Sequence, residues 1–177
     1  ANNLRQRLGI ENLLEKALET GRCHIFEDSG RHTTSAPPIL AALASDVCIH
    51  GHLNAGTAAL ECALEGIPTL LIDREGAPYS KLYELPKDKV VFQDWPSAID
   101  VLMEHFNSSN GIPDFGDWSS IIDEFDPFRD GLAANRMGNY LKWLIDGFNN
   151  GLERDEVMAN AAKMFRERWG NDMVITA

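Results

Sequence analysis

The chain has 177 residues, with 27 Asp and Glu against 16 Lys and Arg, and a net charge of −11. This length predicts about one domain with a buried core. The acidic balance excludes binding to the phosphate backbone of a nucleic acid, because such proteins cluster Lys and Arg. Three cysteines without a CxxC spacing favour reduced thiols, so we expect a cytoplasmic protein. No apolar run approaches the roughly 18 residues of a membrane span.

The first fifty residues show short patterns of helix and strand. Apolar residues recur at helical spacing over residues 4–20, and Gly21 is a natural stop. The segment CHIFED, residues 23–28, is predicted as a short strand. A short helix is predicted to open at the two prolines of PPILAALAS. The apolar residues 47–49 predict a short buried strand after it.

The next sixty residues repeat the alternation of strand and helix. A helix is predicted over residues 55–65, because Gly66 occupies the position that follows a helix end. The apolar runs 67–73 and 89–94 are typical of parallel strands that are covered on both faces. Asp94 is a candidate N-cap for the helix that follows the second run. We therefore predict an α/β fold, a Rossmann-like parallel sheet with helices on both faces.

The composition changes near residue 108, which predicts the domain organisation. Residues 1–107 are predicted as the Rossmann-like domain, and the Gly-, Pro- and Ser-rich residues 108–118 as a linker. Residues 119–177 are predicted as an all-helical extension that packs on this domain, with helices over 127–150 and 153–169. The chain starts without Met and its first segment resembles the interior of a protein, so we expect a fragment that is incomplete at its N-terminus.

The stretch from His50 to Gly76 contains the strongest candidate binding unit. A strand is predicted to lead through a glycine-bearing turn into a helix that starts near Gly56 and Thr57. The unpaired N–H groups and partial positive charge of a helix start suit phosphate. Gly51 gives the preceding backbone freedom, so a diphosphate could approach the main chain there.

Glu61 is the candidate for the sugar of a nucleotide. Its carboxylate, just over one turn into the same helix, could accept two hydrogen bonds from a ribose diol. The alternative is that Glu61 is a solvated helix residue and that the glycines only shape a turn. The stretch matches neither a Walker A motif nor the GxGxxG fingerprint, so spacing alone leaves both interpretations open.

His50 and His52 form a second candidate group. Together with Asp46 and Cys48 they fall on one alternation, which could indicate a metal site. A strand end followed by a turn histidine explains the same pattern, and we expect no bound metal. Within the nucleotide interpretation, either histidine could hydrogen-bond a phosphate or a sugar.

Two arginines are candidates for phosphate contact. Arg74 directly follows an apolar strand, and ligands bind at the carboxyl ends of parallel strands. Arg129 and Arg136 lie seven residues apart and are predicted on one helix face beside Asp126 and Asp130. Arg129 could reach a donor phosphate, because Arg suits bidentate phosphate contact. The alternative is an N-capping Asp126 with surface ion pairs.

Residues 45–78, SDVCIHGHLNAGTAALECALEGIPTLLIDREGAP, resemble the donor-binding half of a GT-B glycosyltransferase. The matching positions of this pattern are Ser45, Asp46, Gly51, Gly56, Thr57, Leu60, Glu61, Gly66 and Pro68. KVVFQDWPSAIDVL, from Lys89, resembles the later strand and helix of the same half. The tail from Asp126 to Val174, with its DPFRDG run, resembles the end of bacterial surface-polysaccharide biosynthesis proteins of this fold.

This resemblance implies half of a GT-B fold that binds a nucleotide-sugar donor. Glu61 would bind the nucleotide ribose, and the Gly51–Thr57 loop would face the diphosphate without a metal or other cofactor. The glycan acceptor and the catalytic base would belong to an N-terminal domain that this sequence lacks, so we expect the chain alone to be inactive. The implied full-length enzyme is compatible with peripheral membrane association.

Two departures keep other functions open. Leu53 stands where many retaining families place a second Glu, which puts the retaining mechanism in doubt. A GT-B-fold nucleotide-sugar 2-epimerase shares the unit, typically with Gly-Gly before the helix and an Arg-Glu pair soon after the next strand. Arg74-Glu75 half fits this pattern, and Asn54-Ala55 does not. A non-catalytic α/β interaction module, with an inert Glu61, is the third interpretation.

Overall fold

A computed structural model describes residues 9–26, 37–53, 56–76 and 79–170. The chain divides into two compact units, Ala1–Ile122 and Asp123–Ala177, which we describe separately. Within the described residues it forms seven α-helices and one three-stranded parallel sheet. Over those same residues, no helix is both long enough and apolar enough to cross a membrane.

The first unit contains the sheet and the helices around it. Its elements are α1 (Glu11–Glu19), α2 (Pro38–Ala42), β1 (Cys48–His50), α3 (Thr57–Leu64), β2 (Thr69–Ile72), a 3-10 turn (Lys81–Glu84), β3 (Val91–Phe92) and α4 (Trp95–Asn107). A short helix α5 (Ile122–Phe125) lies at the division of the chain.

The sheet is parallel in the order β1-β2-β3. Ile49 of β1 is in register with Leu70, and Leu71 is in register with Val91 of β3. All four residues of the central strand β2 are buried, as the continuous apolar run 67–73 predicts. The parallel arrangement expected from the alternating pattern is therefore confirmed.

Successive residues of β2 face two different apolar clusters. Leu70 and Ile72 pack with Ala98 of α4, whereas Leu71 packs with Ala59 of α3 on the other face. Helices therefore cover both faces of the sheet, as predicted. The arrangement fits a Rossmann-like α/β fold with a small sheet of three strands.

Local signals set the ends of the helices that flank the site. Gly66, with φ of +76°, follows α3 and donates its N–H to Ala63 O at 3.0 Å, and Ile67 N–H reaches Cys62 O at 3.1 Å. This is the Schellman arrangement, which needs a residue in the left-handed region. At the start of α4, Asp94 Oδ1 accepts the Ser97 N–H at 2.8 Å. Both predicted helix-end residues are confirmed.

The segment 108–118, predicted as a linker, is packed against the amino ends of β2 and β3. Phe115 and Trp118 are buried. Gly116 O accepts the Thr69 N–H at 3.0 Å, and Gly116 N–H donates to Lys89 O at 3.0 Å. The Trp118 Nε1–H donates to Thr69 O at 2.9 Å. The segment thus supplies hydrogen bonds and buried apolar side chains to the first unit, which its Gly- and Pro-rich composition did not indicate.

Two predictions for the N-terminal region have different outcomes. The strand predicted over 23–28 is absent for the described residues 23–26, and Phe26 is half exposed. A strand needs a neighbouring strand that hydrogen-bonds to its backbone N–H and C=O groups. The alternating pattern of residues 23–26 favours an extended chain but does not supply such a neighbour. Residues 27–28 lie outside the described residues. The helix predicted over 4–20 is present as α1, whereas its residues 4–8 also lie outside them.

The second unit is a helical hairpin of α6 (Ala133–Asn149) and α7 (Arg154–Trp169). The two helices approach closely at Gly147, where an added Cβ would lie 2.9 Å from Val157 Cγ2. Tyr140 packs edge-on against Phe165 with ring centroids 6.0 Å apart. The helical nature of the tail agrees with its predicted pattern, although α6 begins six residues later than predicted, at Ala133 rather than residue 127.

Candidate functional site at the carboxyl edge of the sheet

The carboxyl ends of two neighbouring strands, β1 and β2, carry a group of polar side chains. β1 ends at His50 and β2 at Ile72, each followed within three residues by ionisable groups. These are His52 after β1, and Asp73, Arg74 and Glu75 after β2. In open parallel sheets, this edge is where ligands bind.

Asp73 anchors the loop after β2. Its side chain is 5% exposed. Its Oδ1 accepts the Gly76 N–H at 2.9 Å, and its Oδ2 accepts Tyr83 O–H and Gln93 Nε2–H, the latter at 3.4 Å. Burial raises the pKa of Asp73, but these donated hydrogen bonds outweigh it and bring the pKa below its ordinary value. Asp73 is therefore ionised and holds the loop in one conformation.

Glu75 reaches from that loop to the residues after β1. One carboxylate oxygen contacts His52 Nδ1, and the other accepts the Leu53 N–H at 3.4 Å. The hydrogen bond from His52, followed by the one from Leu53 N–H, lowers the pKa of Glu75. The His52 side chain is 52% exposed, and its ring lies 6.1 Å from the ring of His50, centroid to centroid.

The contact between Glu75 and His52 was not predicted from the sequence. Twenty-three residues separate the two side chains, so no local pattern joins them. A signal was nevertheless present, because each residue lies two or three positions beyond the end of an apolar strand. If adjacent parallel strands are assumed, these positions come to one edge of the sheet.

Helix α3 is the next element after β1, so its first residues follow the carboxyl end of that strand in the chain. Gly56 is the N-cap, and no side chain caps the helix. An added Cβ at Gly56 would lie 3.1 Å from Leu82 Cδ1, whereas one at Gly51 would meet nothing within 4 Å. An alanine at Gly56 would thus require the end of the Leu82 side chain to shift by a few tenths of an ångström, whereas Gly51 leaves open space beside the strand end. Asn54 and Ala55 of the predicted loop lie outside the described residues.

Glu61 lies on the exposed side of α3. Thr57, four residues earlier, shares that side and is also exposed. Among the described side chains, none donates a hydrogen bond to the Glu61 carboxylate, and Glu65 one turn later is similarly exposed. Glu61 is thus accessible to a ligand but is not part of the contact between His52 and Glu75.

The two predicted arginines have different surroundings. Arg74 is exposed and directly precedes Glu75. Arg129 does not lie on a helix face with Arg136, which corrects the prediction. It precedes α6 with φ of +45°, its N–H donates to Asp126 Oδ1 at 3.0 Å, and its guanidinium pairs with Asp123. Asp126 and Asp130 accept backbone N–H groups in the turn before α6, so Arg129 lies in this turn and not in the helix.

Arg136 has a structural role inside the second unit. It is buried, pairs with Asp130 through two nitrogens, and lies 3.6 Å above the centre of the Phe128 ring. The Arg136 guanidinium holds the pKa of Asp130 at about 2, helped by the Leu132 N–H. These contacts fix the DPFRDG segment against α6, which explains that run as a packing motif of the hairpin.

A small cavity of about 250 Å³ lies among α2, β1 and α3. Cys48, His50 and Cys62 line it, and both cysteines are free thiols. Burial and the neighbouring Cys48 raise the pKa of the Cys62 thiol to about 11, so Cys62 is an unreactive protonated thiol. Across the described part of the chain, no three His, Cys, Asp or Glu side chains are arranged to hold a metal ion.

Comparison of the chain with protein-family models finds no match, and comparisons with curated proteins and with solved structures find no significant match.

Proposed function

We propose that the first unit binds the nucleotide-sugar donor of a glycosyltransferase in bacterial surface-polysaccharide biosynthesis. One observation carries the proposal. The unit β1-α3-β2 is parallel, and it brings the end of β1, the start of α3 and the polar loop after β2 to neighbouring positions of one edge. This is the geometry that binds phosphorylated ligands in open α/β sheets.

The residues of this edge have complementary roles in the proposal. The open space at Gly51 lets the diphosphate approach the backbone, and the backbone N–H groups of Gly56 and Thr57 at the start of α3 donate to its oxygens. Glu61, exposed one turn further along, accepts hydrogen bonds from the ribose diol. Arg74 and the histidines His50 and His52 supply local positive charge or hydrogen bonds in an otherwise acidic chain.

The chemistry requires no metal cofactor in this proposal. Backbone amides, a helix start and cationic side chains stabilise the leaving diphosphate by preorganised electrostatics. The glycan acceptor and the catalytic base are assigned to an N-terminal domain, so the described edge supplies the donor half of the site. The proposed enzyme acts in the cytoplasm, and its full-length form is compatible with peripheral membrane association.

The test is ligand-observed NMR of the chain with UDP, GDP, CMP, ADP and their sugars. We expect one base to bind, and Glu61→Gln to weaken that binding about tenfold because one of the two acceptor oxygens and the negative charge that strengthens the hydrogen bonds to the ribose are lost. Glu65→Gln is the matched control, since it removes the same charge from an exposed position on the helix end. Equal binding by both variants would exclude Glu61 as the ribose ligand, and absence of all binding would contradict the proposal.

A nucleotide-sugar 2-epimerase is a second candidate, favoured by the contact between His52 and Glu75. A histidine oriented by a carboxylate is an acid–base device, and epimerisation at C2 needs proton transfer. Incubation of the bound nucleotide sugar in D2O separates the two enzymes. Deuterium at C2 of the sugar would favour the epimerase, whereas an unlabelled sugar would favour the glycosyltransferase. A non-catalytic module would bind no nucleotide at all.

A further inference from the structure

We propose that the exposed face of α6 is a self-complementary surface through which two copies of this chain pair. The partner is a second copy of the chain, related to the first by a two-fold axis that crosses α6 at Leu141. The pairing uses residues of the second unit alone, so it goes beyond the nucleotide site proposed in the first unit and does not depend on it.

One side of α6 is already occupied by α7. The contacts come from Tyr140, Trp143 and Gly147, which recur at helical spacing. The rings of Trp143 and Trp169 lie 5.6 Å apart, centroid to centroid. These contacts fix which side of α6 faces away from α7.

A stripe of apolar residues runs along the outward side of α6. Its four large side chains are between 51% and 66% exposed, and the alanine at its start is exposed as well. Helical spacing places all five on one side, about one third of a turn from the side that meets α7. The stripe consists of Ala134, Met137, Leu141, Ile145 and Phe148.

The hairpin of α6 and α7 buries few apolar side chains of its own. In the described part of the second unit, only Val157 and Ala161 are fully buried apolar residues. Within α6, the one buried residue is Arg136. A helix with an apolar stripe gains stability by burying that stripe against another element. The hairpin therefore needs a further layer of structure over α6.

The order of residues along the stripe makes it complementary to itself. The five residues are separated by 3, 4, 4 and 3 positions, a series that is the same from either end. Two antiparallel copies therefore bring Leu141 against its own copy at the two-fold axis. Met137 then faces Ile145 of the partner subunit. Ala134 faces Phe148 of the partner subunit, so the smallest side chain of the stripe meets the largest.

The dimensions of the stripe suit a pair of packed helices. It spans 15 residues, which is about 21 Å of helix. Small side chains opposite large ones let two helices approach to about 8–10 Å, the usual distance between packed helices. Two hairpins joined through α6 would form a four-helix assembly, in which each α6 has an apolar neighbour on both sides.

The charges near the stripe indicate which force holds the pair together. The stripe contains no ionisable side chain, and Lys142 beside it pairs with Asp146 of the same helix. Each chain carries a net charge of −11, so two copies repel each other at long range. The attraction is therefore the burial of apolar surface. Added salt should strengthen the pairing, because it screens this repulsion.

The experiment measures the mass of the full chain by light scattering and sedimentation, from about 1 to 100 μM, because an interface of one helix pair is at the small end of specific interfaces. We expect the mass to rise from 19.7 kDa towards twice that value. Leu141→Glu and Leu141→Lys should each stay monomeric, because like charges meet at the axis. An equimolar mixture of the two variants should restore a dimer, since opposite charges then meet there.

Two controls keep the result specific to the stripe. Leu40→Glu makes the same change at a similarly exposed leucine of α2, and its mass should equal that of the unaltered chain. Circular dichroism checks that the variants of Leu141 keep their helix content. Leu141→Cys adds no charge, and glutathione disulfide should link two copies of it. Asn135→Cys, exposed on another side of α6, should show no more linked dimer than the unaltered chain.

The outcomes decide both the surface and its register. A dimer that each charge variant abolishes and that their mixture restores would support the pairing at Leu141. A mass of 19.7 kDa for the unaltered chain at every concentration would overturn the proposal, and the stripe would then be covered by another part of the chain or by another protein. A dimer that persists in both charge variants, a dimer that salt dissociates, or a mixture that stays monomeric would overturn it as well.

Discussion

The two edges of the parallel sheet are built in opposite ways. At the amino edge, Gly116 and Trp118 make two hydrogen bonds with Thr69 and a third with Lys89, and Trp118 is buried. At the carboxyl edge, an added Cβ at Gly51 would meet nothing within 4 Å, and the neighbouring His52, which contacts Glu75, is half exposed. A short sheet thus places tight packing at one edge and polar, accessible groups at the other.

The comparison shows how a small fold separates stability from binding. Buried hydrogen bonds and close packing are costly to disturb, whereas exposed polar groups can change with little effect on folding. Substitutions at the closed edge, and at Asp73, which is buried at the open edge, should therefore change the free energy of unfolding. Substitutions at the exposed positions of the open edge should change ligand binding. Four substitutions test this separation.

The largest effect is expected for Gly116→Ala. The new Cβ would lie 2.6 Å from the Thr69 backbone nitrogen at a φ of +67°, so the backbone must move. We expect the free energy of unfolding to fall by about 3 kcal/mol or more, measured by urea denaturation. A change below about 1 kcal/mol would show that the closed edge adapts easily.

Asp73→Asn should have the next largest effect, because it replaces a buried, hydrogen-bonded carboxylate. We expect a loss of about 1–3 kcal/mol near neutral pH. The folded-state pKa of Asp73 is lowered, so its contribution is present above about pH 3.9, the ordinary Asp value, and disappears as pH falls through the folded value. Urea denaturation from pH 6 to pH 2 should therefore show the two proteins converging in acid, and a constant gap would contradict this assignment.

Trp118→Phe removes one buried hydrogen bond and part of a ring. The Thr69 carbonyl loses its Nε1–H donor, and we expect a loss of about 1–2 kcal/mol. Trp95→Phe is the matched control, because Trp95 is 47% exposed and should change the unfolding free energy by less than about 0.5 kcal/mol. Similar values for both tryptophans would contradict the closed-edge interpretation.

Gly51→Ala should have the smallest effect on folding. An added Cβ meets nothing within 4 Å, so we expect a change within about 0.5 kcal/mol. The same methyl group would occupy the space that the proposed diphosphate needs, and nucleotide binding should fall at least tenfold. Unchanged binding would place the phosphate elsewhere.

Features that depend on neighbouring residues were predictable from the sequence. The apolar run of β2, the glycine after α3 and the Asp94 N-cap each follow from a few adjacent residues. Alternation of such elements was enough to predict a parallel sheet with helices on both faces. The position of Glu61 on an exposed helix face was likewise predictable from the local pattern.

Features that depend on distant contacts were not predictable. Residues 23–26 have strand-like composition without a partner strand, whereas 108–118 have linker-like composition and complete a core. Glu75 and Asp73 gain their significance from partners 10 to 23 residues away. The predicted position of Arg129 on a helix was wrong because of contacts that the local pattern does not show. Arg129 pairs with Asp123, and Asp126 and Asp130 accept backbone N–H groups in the turn before α6.

The central strand β2 runs from the closed edge to the open edge of the sheet. β2 has only four residues, about 13 Å of chain, with Thr69 held at one end and Asp73 at the other. Leu71 N–H and Asp73 N–H donate to Val90 O and Phe92 O, both at 2.7 Å. A shift of β2 by one residue would turn Leu70 and Leu71 to the wrong faces of the sheet. The register of β2 against its two neighbours is therefore fixed. The register of β2 therefore fixes where this strand ends, and with it the start of the loop that carries Asp73 and Glu75.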